Sequence, residues 1–366
     1  MIVGTRPEAI KMAPVLLELR ARPGFEASFV ATAQHREMLD QVCAAFDLRP
    51  DLDLDLMRPD QTPADVTARV LLGVRDVLRD TRPDAVLVHG DTTTCLAATL
   101  AAFYAGIPVG HVEAGLRTHD LDAPWPEEMN RRLTDPIARW CFAPTLLAAD
   151  NLRAERIAEA AIHVVGNTVV DALLLALERI RAHPPGIAGL PDGALDGRRL
   201  ILVTGHRRES FGGPLRELCQ ALREAVDRHP DAVLVYPVHL NPNVLRPVHE
   251  LLGGHERIHL IRPLEYLPFV ALLERAAVVV TDSGGIQEEA PTFGVPVLVT
   301  RAATERPEAI LLGLARLVGT SRATIVAELS RALADPDARV RAGRIANPYG
   351  DGHAARRIVD ILAAEV

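Results

Sequence analysis

Short apolar runs rich in β-branched residues recur along this chain, each separated from the next by a longer stretch of helical periodicity. In the first half they lie at 1–3, 25–32, 85–89, 108–113, 140–143 and 163–165. In the second half they lie at 200–204, 233–237, 258–261, 278–281, 296–299 and 315–318. Strands that are apolar at every position are buried on both faces, and such strands spaced by helices build parallel sheets from βαβ units. The pattern occurs twice within 366 residues, so the expected fold is α/β with two Rossmann-like lobes. A helical pattern over 167–180, then a Pro- and Gly-rich stretch over 183–199, marks the passage between lobes. The expected domains are 1–168 and 169–352, with a last helix at 353–366 after the turn-rich segment NPYGDG. The opening strand is short for the centre of such a sheet, as expected if Met1 is an internal start.

A formal charge of −8 argues against nucleic acid or an anionic membrane as partner, since both select a basic face. No apolar run is long enough to span a bilayer, and no signal-peptide pattern opens the chain. Cys43, Cys95, Cys141 and Cys219 are scattered, with no CxxC pair, which reads as reduced core thiols in a cytoplasmic protein. There is no GxGxxG after a strand, no GxxxxGK[ST] and no HExxH, and the histidines show no compact metal spacing. Neither a cofactor nor a metal is therefore expected. Lys11 is the only lysine, all other side-chain cations of the Lys and Arg type being arginine. An arginine-biased composition explains the arginines but not the exception, which points to a position that needs a compact ammonium.

Polar motifs follow the apolar runs repeatedly. Gly4-Thr5-Arg6-Pro7-Glu8 follows the first, Gln34-His35-Arg36 the second and His89-Gly90-Asp91 the third, while Glu113 closes the fourth. In the second half His206-Arg207-Arg208-Glu209, His239, Asp282-Ser283-Gly284-Gly285 and Arg301 do the same. Doubly wound sheets bind ligands at the carboxyl ends of their strands, so the two sets can face one cleft. Asp282–Glu289 (DSGGIQEE) has the strand–glycines–helix order that suits a diphosphate, with Glu289 placed to accept from ribose hydroxyls, although a plain tight turn gives the same string. Arg301, Glu305, Arg306 and Glu308 suit phosphate contacts and structural ion pairs equally. Asp91, at the start of a helix expected over 92–104, has helix capping as its alternative role, and Glu127 has first-turn helix charge. Glu113, closing an apolar strand, is harder to explain by packing. Three carboxylates gathered with Arg6 and Lys11 resemble acid–base equipment.

Read in order, GTRPEAIKMAP, AQHREMLDQV, VHGDTTTCLAA, AFYAGIPVGHVEAGLRT, PWPEEMNR, GNTVVDAL, VTGHRRESFG, YPVHLNPNV, TDSGGIQEEAP, TERPEAI and NPYGDG resemble the bacterial non-hydrolysing UDP-N-acetylglucosamine 2-epimerases over essentially the whole chain. The resemblance implies a glycosyltransferase-B-like architecture with the site between the lobes and the last helix packed back on the first. It implies reversible inversion at C2 of UDP-GlcNAc to UDP-ManNAc, feeding surface polysaccharide synthesis. By position, Asp91, Glu113 and Glu127 match the family's catalytic carboxylates, and Arg6, Lys11 and His206 its site cations. Ser283, Gly284, Gly285, Glu289 and Arg306 match UDP-binding positions, with Phe269 near uracil. Gln34, His35, Gln61, Arg207 and His239 fall in the region where many members bind a second UDP-GlcNAc as allosteric activator. Homodimerisation is implied as well.

The chain departs from the family at Ala302 and Ala303, where an acidic and a hydroxyl residue are usual, at Leu314, where a small polar residue is usual, and at Asp60. These positions bear on UDP affinity and activation rather than on reaction class. The alternatives are an epimerase of another UDP-2-acetamido sugar, a hydrolysing epimerase, a non-catalytic UDP-sugar binder, and a glycosyltransferase, for which no acceptor feature is visible.

Overall fold

The computed structural model describes residues 1–32, 36–58, 61–205, 211–335 and 337–366, without the side chains of 36–38. The chain divides into two compact units, 1–176 with 349–366 and 177–348. The first carries β1 (Ile2–Val3), α1 (Arg6–Ala21), β2 (Val30–Ala31), α2 (Arg36–Ala45), β3 (Leu52–Asp53), α3 (Pro63–Thr81), β4 (Val86–His89), α4 (Thr93–Tyr104), β5 (Val109–Val112), α5 (Glu127–Thr134), β6 (Trp140–Ala143), α6 (Leu146–Ala154), β7 (Ile162–Val164) and most of α7 (Thr168–Ala182). The second carries β8 (Arg199–Thr204), α8 (Gly213–Arg228), β9 (Ala232–Pro237), α9 (Pro242–Leu252), β10 (Ile258–Ile261), α10 (Tyr266–Arg275), β11 (Ala276–Thr281), α11 (Gly284–Glu289), β12 (Val297–Val299), α12 (Pro307–Leu311), β13 (Ala315–Leu317), α13 (Arg322–Ala334) and α14 (Ala338–Ala342), and the chain closes with α15 (Ala354–Glu365) in the first unit.

Among the described residues all strand pairings are parallel. The second unit has the order β10-β9-β8-β11-β12-β13. In the first unit β1-β2-β3 and β4-β5-β6-β7 form two ladders, with β1 lying against β4. Strand order thus reverses between β1 and β4 in one unit and between β8 and β11 in the other. Doubly wound sheets take ligands at such switch points.

The run at 25–32 forms a strand only at Val30–Ala31, because β1 offers just Ile2 and Val3 for pairing. The exposed two-residue β3, in the alternating DLDLDL, has no counterpart among the expected strands. Helix starts follow capping chemistry. Thr5 and Glu8 close a capping box on α1, and Thr62 and Asp65 close one on α3. Along α3, Val66, Val70, Val74 and Leu78 line one buried face, each contributing about 1.5–3 kcal/mol by leaving water. Among the described residues no helix is long and apolar enough to cross a membrane. All four cysteines are buried and free.

The last helix packs on α1. It buries Ile358, Val359 and Leu362, and Arg22 pairs with Asp360 at 2.6 Å. Its own N-cap residue, His353, makes no side-chain cap bond. Asp171 of α7 supplies the cap instead, accepting from the amides of Ala354 at 3.2 Å and Ala355 at 2.8 Å. Replacing Asp171 by Ala is expected to lower stability by about 1 kcal/mol, the usual worth of a cap, read as a lower urea midpoint with little change in slope.

Candidate active site

In the first unit the polar groups gather where β1, β4 and β5 end. The α1 capping box does more than cap. The buried Glu8 carboxylate accepts from the amides of Gly4 and Thr5 and from the Thr92 hydroxyl at 2.6 Å, which joins the ends of β1 and β4. Thr92, not Asp91, caps α4, accepting from the Cys95 amide. The expected capping alternative for Asp91 is therefore corrected: the threonine hydroxyl fills the cap, and the Asp91 carboxylate pairs with Arg131 at 3.0 Å. Asn130 of α5 donates to the Asp91 carbonyl at 2.8 Å. Glu127, on the first turn of α5, is half-buried.

Glu113 follows β5 with φ of 68°, a left-handed conformation that strains a side chain bearing a Cβ. Its side chain is only 7% exposed. The Oε2 atom accepts from Lys11 Nζ and, at 2.7 Å, from Asn167 Nδ2. Buried His89 lies 3.8 Å from the same oxygen. Burial, aided by nearby Lys11 and His111 and opposed by Glu113, lowers the His89 pKa to about 3, so its ring is neutral near pH 7. Gly90, with φ of +67°, turns the chain past Glu113; a Cβ there would lie 3.8 Å from the Glu113 carboxylate. Arg6 is half-buried on the first turn of α1.

The second unit holds a compact set after β11 and β12. Arg306 donates to Glu288 at 2.7 Å and to Glu305 at 2.6 Å, and Arg301 donates to the other Glu305 oxygen at 2.8 Å. Thr304 donates to Gln287, whose amide returns to the Ser283 carbonyl. The guanidinium of Arg306 lies over Gly284, where a Cβ would stand 2.5 Å from Nη1. A side chain at 284 would thus displace the Arg306 guanidinium. Gly285 is half-buried beside it and Glu289 is buried at the end of α11. Phe269 is half-buried on α10. Ala302 and Ala303 are exposed, and the arginine–carboxylate set closes without them. Leu314 is buried at 2% exposure, as a core residue.

Of the expected activator positions, Gln61 accepts from the Arg58 amide at 2.6 Å and His239 is exposed, accepting from the Asn241 amide. Gln34, His35, His206, Arg207 and Asp60 lie outside the described residues. Sequence reasoning passed over Glu8, Asn167, Arg131 and Glu288, each a polar residue within a helix or just before one. Their signal was only a charge or amide at a position the helix buries.

Two Rossmann-like units, each with its charged residues at the carboxyl ends of parallel strands, define an α/β protein of the glycosyltransferase-B-like class. The family profile described as UDP-N-acetylglucosamine 2-epimerase matches residues 17–363. The chain is 53% identical to the UDP-N-acetylglucosamine 2-epimerase of Yersinia pestis over 99% of this chain and 97% of that one. It is similar to the crystal structure of UDP-GlcNAc 2-epimerase from Neisseria meningitidis bound to UDP-GlcNAc, with a TM-score of 0.92, 45% identity and coverage of 100% and 99%. A glycosyltransferase of kitacinnamycin, at 17% identity, TM-score 0.68 and coverage of 99% and 97%, shares the fold alone. The chain belongs to the UDP-N-acetylglucosamine 2-epimerase family.

The Arg301–Glu305–Arg306 set carries a pH signature. Burial alone would raise the Glu305 pKa, but Arg306 and Arg301 outweigh it and hold the carboxyl down to about 2. A depressed pKa stabilises the fold above the unfolded value near 4.5 and loses that contribution as pH falls toward 2. The stability difference between wild type and Glu305→Gln, about 3 kcal/mol at neutral pH, is expected to narrow between pH 5 and pH 3 in urea titrations.

Proposed function

We propose that this chain interconverts UDP-GlcNAc and UDP-ManNAc without hydrolysis, in the cytoplasm, for surface polysaccharide synthesis. A base takes the proton from C2, the C2–H electrons become the C1=C2 bond, and the C1–O bond breaks with its pair leaving on UDP. The 2-acetamidoglucal then receives a proton at C2 from the opposite face while a phosphate oxygen of UDP re-forms the bond to C1. The net result is inversion at C2 with no atom gained or lost.

Two protonic groups on opposite faces and a means of stabilising departing UDP are required. Asp91, Glu113 and Glu127 take the protonic roles. Lys11, held on Glu113, together with Arg6 and His206, supplies positive charge. Ser283, Gly284, Gly285, Glu289 and Arg306 bind UDP, with Phe269 at uracil. A second UDP-GlcNAc acts as activator through Gln34, His35, Gln61, Arg207 and His239, and the protein works as a homodimer.

The observation that carries this reading is the strained, buried Glu113, which shares one oxygen between an ammonium and an amide beside the Gly90–Asp91 turn. Such strain persists only where the surroundings hold it, and it clusters at reacting sites. A carboxylate so placed contributes little to packing.

Proton NMR of the protein with UDP-GlcNAc in D2O tests the reaction. UDP-ManNAc carrying deuterium at C2, with little free UDP, is expected; free ManNAc and UDP as main products would replace this reading with the hydrolysing one. Asp91→Asn and Glu113→Gln are each expected to cut turnover about 100-fold or more. Unchanged turnover in both would remove these residues from the mechanism.

A further inference from the structure

His111 lies in the middle of β5, with no exposed surface, and the reaction as written gives it no role. Its Nδ1 is 2.6 Å from Asp135 Oδ1 and its Nε2 is 2.7 Å from the Gly90 carbonyl. Both partners offer oxygen acceptors. The other Asp135 oxygen accepts from Arg117 at 2.6 Å and from the Gly115 amide at 3.3 Å, which fixes that carboxylate as ionised. A ring with an acceptor at each nitrogen is satisfied only when both nitrogens carry a proton.

We propose, on the reading of Asp91 as a catalytic residue, that His111 is a positioning residue: a buried imidazolium, anchored by Asp135, that pins the Gly90 carbonyl and so fixes the turn presenting Asp91. The groups around the ring fit this role, and the neighbouring His89, neutral near pH 7, adds no charge against it. Asp135 and the Gly90 carbonyl accept. The Cys95 thiol donates to the same carbonyl at 3.3 Å, and the Cys141 thiol donates to the Asp135 carbonyl at 3.5 Å. Arg117 balances the pair from the far side and is itself closed by Glu155 at 2.7 Å, so the set His111–Asp135–Arg117–Glu155 is neutral overall. Burial disfavours charge on the ring, but Asp135 outweighs it, holding the His111 pKa well above its ordinary value and that of Asp135 below.

The consequence for Asp91 is geometric. Its peptide is held on one side through Gly90, whose carbonyl takes the imidazolium and whose amide donates to Val112 at 2.9 Å. On the other side the Asp91 carbonyl takes Asn130. Gly90 adopts a left-handed conformation that an unanchored glycine leaves readily. Removing the imidazolium leaves the Gly90 carbonyl to the weak thiol donor alone, and the turn gains freedom just where a carboxylate must meet C2.

The ring is tested first in the wild-type protein, by 15N NMR of the full chain labelled at histidine, with His111 identified by through-space contacts of its ring to Gly90 and Cys95. Protonation of both nitrogens is expected at pH 7, where an ordinary histidine is largely neutral; a neutral ring at pH 7 overturns the proposal even if the variant fails to fold. In turnover assays His111→Gln is expected to lower kcat about 100-fold, the cost of displacing a reacting group by about an ångström, with KM for UDP-GlcNAc changed less than about threefold. In an Asp91→Glu background, where the carboxylate is already displaced, the same change should cost less than about threefold. Full additivity of the two losses, or wild-type kcat in His111→Gln, overturns the positioning role. Retained turnover in Asp91→Asn would instead sink the site assignment, whatever the charge on the ring.

Discussion

The Asp135 carboxylate has no exposed surface, yet it stands at the junction of the elements that carry the candidate carboxylates. It follows α5, which bears Glu127 and Asn130. It grips His111 inside β5, the strand that ends in Glu113. Through that ring it reaches the Gly90 carbonyl, and so Asp91. An isolated buried carboxylate would be driven neutral. Here two cations and an amide keep it ionised, and the price of its desolvation is met only while all three remain in place. Losing any one should loosen α5, β5 and the 90–91 turn together, because they share this one anion.

The second unit solves the same problem with arginine in place of histidine. Arg306 is 9% exposed and is closed by Glu288 and Glu305, with Arg301 completing the set. The guanidinium closes on Gly284, so the glycine, the arginine and two glutamates form one assembly at the switch point of the sheet. The exposed Ala302 and Ala303 hang off this assembly rather than within it. The ion pairs that orient Arg301 and Arg306 use neither alanine.

The parallel sheets were legible because strands buried on both faces read as unbroken apolar runs, and the burial of β4, β5, β6 and β11 bears this out. The elements that escaped are those whose existence depends on a partner. β3 is an exposed edge of two residues, recognisable only once β2 lies beside it, and the run at 25–29 stays outside the ladder because β1 begins only at Ile2. At the candidate site, strand-end position singled out Asp91 and Glu113, since charge at the mouth of an apolar strand is costly without a reason. The same rule missed His111, because a single histidine within a strand most often packs, and its anchor lies 24 residues further on. Which of Asp91 and Thr92 caps α4 was equally undecidable: both residue types cap well, and the choice turned on Glu8, a residue 84 positions from Thr92.

The lone lysine is explained at the same level. Glu113 presents one oxygen to two donors, the Asn167 amide and the Lys11 ammonium, within a side chain that is 7% exposed. A guanidinium brings a fork of fixed donors that needs two acceptors in a plane. The Asn167 amide already occupies part of that space, so a fork would leave some of its N–H groups buried and unbonded, a cost of about 1–3 kcal/mol each. The ammonium is a point donor that can reach a crowded oxygen from α1 alone. A chain that uses arginine for every other long cation keeps lysine where only a compact charge can share a carboxylate oxygen with an amide.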